Sequence, residues 1–137
     1  MLKHHLFTFS LVVLSCSGTA APLDATWLGG SGNWDEISNW SYSAVTAANF
    51  PNNGLDTFSV IIDNDDSIDS IASLNTNATI DALTVGIGDQ LKLNNNFSLR
   101  IENSIANNGI IALTDNGISS PTTLEINETV PYSGNGV

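Results

Sequence analysis

Ile80-Asp81-Ala82-Leu83-Thr84-Val85, Leu91-Lys92-Leu93, Phe97-Ser98-Leu99-Arg100-Ile101 and Ile110-Ile111-Ala112-Leu113 follow one another within residues 80–113. Polar side chains fall between apolar ones in the first three, the mark of a short strand with one face buried, and the fourth is a short apolar run. The breaks between them are Gly86-Ile87-Gly88-Asp89, Asn94-Asn95-Asn96 and Asn107-Asn108-Gly109, with Asp115-Asn116-Gly117 after the last. Gly, Asn and Asp tolerate the left-handed backbone region that tight turns require. The pattern predicts a core of Leu83, Val85, Leu91, Leu93, Leu99, Ile101, Ile111 and Leu113.

Working outward, Phe58-Ser59-Val60-Ile61-Ile62 and Thr123-Leu124-Glu125-Ile126 repeat the motif. Strand centres at Ile61, Leu83, about Ile105 and about Leu124 are separated by 22, 22 and 19 residues. Steps of this size match one turn of a solenoid, in which each turn is too small to bury its own apolar face and needs its neighbours. The expected fold is therefore all-β, a right-handed parallel β-helix. The alternative is an antiparallel β-sandwich, since Asn-Gly also makes hairpins. Strands of three to five residues suit the first better, because sandwich strands usually run to about five or six.

Composition narrows the function classes. The basic residues are Lys3, Lys92 and Arg100, against fourteen acids that all lie beyond residue 20. Nucleic acid is thereby an unsuitable partner, because phosphate binding needs clustered cations. Residues 1–20 have the order of a secretory signal peptide: Lys3, an apolar run from Leu6 to Leu14, then small residues ending at Ala20. The run is too short to span a bilayer, which takes about 20 residues, so no membrane insertion of the mature chain is expected. Val13-Leu14-Ser15-Cys16 loosely resembles a lipoprotein box, but Leu14 stands where a small residue is usual, and simple cleavage after Ala20 is the expectation. The only histidines are His4 and His5 and the only cysteine is Cys16. A processed chain therefore cannot build a Ser-His-Asp triad, a Cys-His nucleophile or a His/Cys zinc site.

All three tryptophans fall between positions 27 and 40, in Trp27-Leu28-Gly29-Gly30-Ser31-Gly32-Asn33-Trp34 and Asn39-Trp40. Exposed indoles would stack on sugar rings, making Trp27, Trp34 and Trp40 candidate carbohydrate-binding residues. Turned inward, they would instead plug the open end of a repeat core, the expected arrangement for a terminal repeat. With Phe50-Pro51-Asn52-Asn53-Gly54 and the Val/Ile strand that follows, this ordered pattern resembles the start of secreted bacterial β-helix proteins, such as autotransporter passengers and proteins with a PEP-CTERM sorting tag. The resemblance covers about residues 25–115. It implies a right-handed parallel β-helix displayed outside the cell, and no catalytic motif of the family maps onto this chain.

Two further clusters carry chemistry in principle. Asp63, Asp65, Asp66 and Asp69 form the densest group of carboxylates, and calcium is the cation such a turn would suit. An EF-hand loop starting at Asp63 needs Gly sixth and Glu twelfth, where the chain has Ile68 and Leu74. A solvated acidic turn is the simpler reading, with no cofactor expected. Asp65 or Asp66 with Asp81 would give the carboxylate pair of a glycosidase, and Lys92 with Arg100 would assist a polysaccharide lyase. Neither pair sits beside an aromatic cleft in the sequence. The reading divides the chain into a signal peptide (1–20), a Trp/Gly-rich cap (21–57), solenoid repeats (58–130) and an unstructured tail or truncated end (131–137). The expected role is an exported surface, structural or adhesive element without catalytic activity. A carbohydrate-binding or carbohydrate-cleaving β-helix is the alternative. Extracellular polysaccharide or surface molecules, further repeats or other copies of the chain are the expected partners.

Overall fold

In the computed structural model, which describes residues 20–62, 68–114, 117, 121–127 and 129–137, Ala78–Val85 and Ser98–Asn107 form strands of eight and ten residues, longer than the three to five expected, and eleven strands form among the described residues in all. They are β1 (Leu23–Trp27), β2 (Ser31–Asn33), β3 (Trp40–Tyr42), β4 (Phe58–Ile62), β5 (Ile71–Leu74), β6 (Ala78–Val85), β7 (Gln90–Leu93), β8 (Ser98–Asn107), β9 (Ile110–Leu113), β10 (Thr123–Ile126) and β11 (Tyr132–Ser133). A single 3₁₀ turn, Ile37–Asn39, is the one helical element among the described residues. The protein is all-β.

The strands form two sheets. One has the order β10-β8-β6-β4-β1-β3, with β11 also on β8; the other has the order β2-β5-β7-β9. From β4 to β9 the chain alternates between them, and each strand lands parallel to the one two places earlier. The pairing of β1 with β3 is the one antiparallel pair among the described residues. Like therefore lies beside like. Val60, Leu83 and Ile105 are in register in the first sheet, and Ala72, Leu91 and Ile111 in the second.

A bend divides the larger sheet. In β6 two residues, Asp81 and Ala82, separate buried Ile80 from buried Leu83; in β8 three, Glu102 to Ser104, separate buried Ile101 from buried Ile105. The extra residue shifts the register between Ile80 and Ala82, as a bulge does. The halves then take different neighbours. Ala78–Ile80 of β6 pairs with Leu99–Ile101 of β8, and β10 joins that half of β8 on its other side. Beyond the bend, the later half of β6 pairs with β4, and the later half of β8 with β11.

The core is one column, from Trp27 and Trp34 through Phe58, Ile62, Leu74, Ile80 and Leu83 to Leu91, Leu93, Leu99, Ile101 and Ile105. Each fully covered aliphatic side chain contributes about 1.5–3 kcal/mol. Six of the eight expected core residues, Leu83, Val85, Leu91, Leu93, Leu99 and Ile101, are buried. The other two differ: Ile111 is only half-buried and Leu113 is 49% exposed. Both sit on β9, the edge strand of the smaller sheet, with a neighbour strand on one side only.

Three other expectations change. Leu124 was expected one step beyond Ile105, but it stacks on Leu99, and Tyr132 takes the place beside Ile105. The bend permits this, because β8 presents two separate landing sites. Residues 131–137 are not an unstructured tail: β11 pairs with β8, the Gly136 N–H donates to Asn107 O (2.8 Å), and the Ile111 N–H donates to Val137 O (2.7 Å). Residue 57 is no boundary either, since β1 extends the parallel ladder of β4 and β2 that of β5.

Candidate functional site

The Trp-rich segment is built by its glycines. Gly29 and Gly30 take φ of 95° and 73°, which a side chain would strain. That turn brings the Gly30 carbonyl to the Trp27 indole N–H, which donates to it (3.1 Å). The Trp34 indole N–H donates to Pro51 O (3.0 Å) and that of Trp40 to Trp34 O (2.7 Å). Trp40 meets Trp27 and Trp34 edge-on, at centroid separations of 5.0 and 4.8 Å. Such geometry adds about 0.5–1.5 kcal/mol per pair beyond burial. Trp27, Trp34 and Trp40 are 1%, 0% and 5% exposed. Sugar stacking needs an open ring face, and none of the three indoles offers one; the candidate carbohydrate site at these residues is corrected to a packed interior.

Of the four candidate calcium ligands, Asp63, Asp65 and Asp66 lie outside the described residues. Asp69 is exposed, with its carboxylate against Gly88. The neighbouring Asp89 is buried, and its Oδ1 accepts from the Ser70 N–H (2.8 Å), pinning the turn before β7. Among the described residues, no group of three or more His, Cys, Asp or Glu side chains is placed to hold a metal. Asp81 stands at the bend in β6, where its Oδ1 accepts from Asn103 Nδ2 (2.6 Å). Lys92 and Arg100 are on different sheets, on β7 and β8.

What the structure does assemble is a groove on the outer face of the first half of the larger sheet. It has a volume of about 410 Å³ and is lined by Asn52, Asn77, Thr79, Ser98, Arg100 and Glu125, with Ala78 at its base. A second depression, lined by Arg100, Leu124, Glu125, Ile126 and Asn127, adjoins it through Arg100 and Glu125. Strand register makes the arrangement: Thr79 pairs with Arg100 and Arg100 with Glu125, so the three form one row across β6, β8 and β10. Arg100 Nε donates to Glu102 Oε1 (2.8 Å), and its Nη1 lies 3.9 Å from Glu125 Oε2.

Two amides flank this row and are held in the same way. Asn52 Oδ1 accepts from the Thr79 N–H (2.8 Å), and Asn77 Oδ1 accepts from the Ser98 N–H (2.9 Å). Both thus commit their acceptor to the backbone and turn the NH₂ donors away from it. Apart from Arg100, no residue of this groove belongs to the candidates read from sequence. The usable signal was the polar half of each alternation, which marks an outer face but does not say which outer residues adjoin.

Tyr42 is the other polar feature. It packs against Phe58 (5.8 Å between centroids), and its hydroxyl is buried without a hydrogen-bond partner. Loss of solvent around the phenol pushes its pKa from 10.0 up to about 12.

No family model matches the chain, and no curated protein or solved structure is similar to it at a significant level. Among the described residues, no helix is long and apolar enough to cross a membrane.

Proposed function

We propose that this chain is an exported bacterial β-solenoid segment, a right-handed parallel β-helix closed at its N-terminal end by the tryptophan cluster. Its role is that of a surface or extracellular structural and adhesive element, without catalysis. The observation that carries the reading is the parallel in-register stacking of like residues: Val60, Leu83 and Ile105 on one side, Ala72, Leu91 and Ile111 on the other. From β4 to β9 the chain alternates between two sheets and each strand from β6 on returns beside the one two places earlier, which supports winding around one core.

Location follows from the sequence. The charge–apolar–small order of residues 1–20 is that of a leader. Beyond it the chain has two basic and fourteen acidic side chains, a balance that keeps it off anionic surfaces and in solution. The Trp-Gly pattern and its resemblance to secreted bacterial β-helix proteins point the same way.

Expression of the whole chain in a bacterial host, followed by fractionation and N-terminal sequencing, tests the reading. The expected product begins at Ala21 and is found outside the cytoplasm. Cytoplasmic protein that keeps Lys3, His4 and His5 overturns it. A diacylated Cys16 in the mass spectrum replaces free release with a lipid anchor.

A further inference from the structure

We propose that the outer groove along Thr79, Arg100 and Glu125 binds a neutral oligosaccharide chain, lying across the strands with about one sugar to each. This names the ligand class for the adhesive role and rests on that reading. The ladder itself is the first reason. Neighbouring strands lie about 4.8 Å apart, close to the length of one pyranose ring, and each of three successive strands offers a different group in the same row: a hydroxyl, a guanidinium and a carboxylate. A polymer of sugars meets such a row in step.

Three of the donors, on Asn52, Asn77 and Arg100, are also tethered before any ligand arrives. Asn52 and Asn77 have their oxygens tied to backbone N–H groups, so their NH₂ groups are aimed rather than searching. Arg100 is braced by Glu102 and faces Glu125. Pre-organisation of this kind lowers the entropy lost on binding.

Charge selects the class of sugar. The lone cation of the groove already faces two carboxylates, Glu102 and Glu125. An acidic sugar would have to displace them in a chain whose net charge is −11, whereas neutral hydroxyls can donate to Glu125 and accept from Arg100 and the two amides. The groove volume of about 410 Å³ lies within the usual range for ligand sites, roughly 300–1,000 Å³. No aromatic ring lines it, so affinity comes from hydrogen bonds alone and a Kd of about 1 mM is expected.

The test is an NMR titration of the isotopically labelled chain with cellohexaose, laminarihexaose and mannohexaose in turn, each to about 10 mM, and with an oligogalacturonate as the acidic counterpart. At least one neutral hexasaccharide is expected to shift the backbone amides of Thr79, Ser98, Arg100 and Glu125. Arg100→Gln and Glu125→Gln, both on the surface, each weaken binding about fivefold or more, while Lys92→Gln on the other sheet leaves it unchanged. Thermal melts of the variants establish that they are folded. Absence of shifts with all three neutral sugars, shifts centred elsewhere, equal binding by both groove variants, or tighter binding of the oligogalacturonate overturns the proposal. Tryptophan fluorescence stays constant throughout, because the indoles are buried. Binding is measured on purified chain from whichever compartment holds it, so failure of export and failure of binding are read separately.

Discussion

At one end of the paired sheets lie β3 and three interlocked indoles; at the other lie β9, β10 and β11, where Leu113, Ile126 and Tyr132 are 49%, 46% and 58% exposed. The same kind of strand makes both ends, yet at the first the largest side chains are buried, with only Leu28 and Ile37 beside them 55% and 57% exposed, while at the second the end-strand side chains themselves are half open. What differs is the filler. Each tryptophan packs edge-on against another, and its one polar atom finds a backbone carbonyl. Isoleucine and leucine shed water only when something is laid over them. At the open end, Gly134–Val137 supplies a partial cover by lying along Asn107–Gly109, with Asn107 buried beneath it.

This contrast can be broken experimentally. The largest effect is expected one strand in from the open end, on β8: Leu99→Asp places an unpaired charge in the core and unfolds the chain, since a buried charge without a partner costs far more than one strand contributes. Unchanged circular dichroism and melting would mean that Leu99 does not face inward. Next, Trp34→Ala at the tryptophan end should lower stability by about 3–5 kcal/mol, while Ile126→Ala at the open end lowers it by less than about 1 kcal/mol. Urea denaturation of the pair measures this, and equal losses would abolish the distinction between the ends.

Gly134→Ala sharpens the account of the open end. Gly134 has φ of 106°, and an added Cβ would run into the Asn107 backbone. The strain, about 1–3 kcal/mol, should release residues 131–137 while the column stays folded. Hydrogen exchange is expected to show faster exchange at Ile105, Gly136 and Val137 with protection of Leu83 and Leu91 unchanged.

The smallest effect concerns Tyr42, near the tryptophan end. Its folded-state pKa of about 12 lies above the ordinary 10.0, so above pH 10 the unfolded chain gives up this proton before the folded one does. Stability from this group is therefore full below pH 10 and lost progressively as pH rises from 10 towards 12. Tyr42→Phe removes both that loss and an unpartnered buried hydroxyl. Stability at neutral pH should be equal or slightly higher, and the alkaline decline shallower. A steeper decline in the variant would mean that the folded phenol ionises more readily than the unfolded one, the opposite of what its burial implies.

Much of the fold was legible in the sequence because strand and face are local properties. Leu83 to Val85, Leu91 to Leu93 and Leu99 to Ile101 alternate as a half-buried ladder must, and Asn96 does adopt a left-handed turn, with φ of 71°. The groove was not legible. Thr79, Arg100 and Glu125 stand 21 and 25 residues apart in sequence; the bulge opposite Asp81 sets Thr79 beside Arg100, and the pairing of β10 with β8 sets Glu125 there. Asn52 is further removed still, brought in by a loop whose path no periodicity describes.

Alternation, turn composition and the scarcity of cations were thus determined by the amino-acid order alone, since each depends on a residue and its immediate neighbours. Only the tertiary structure decided that the indoles point inward, that Leu124 rests on Leu99 instead of Ile105, and that the last seven residues pair. Those outcomes turn on which surfaces remain uncovered once the other strands are in place, and that is a property of the assembled column.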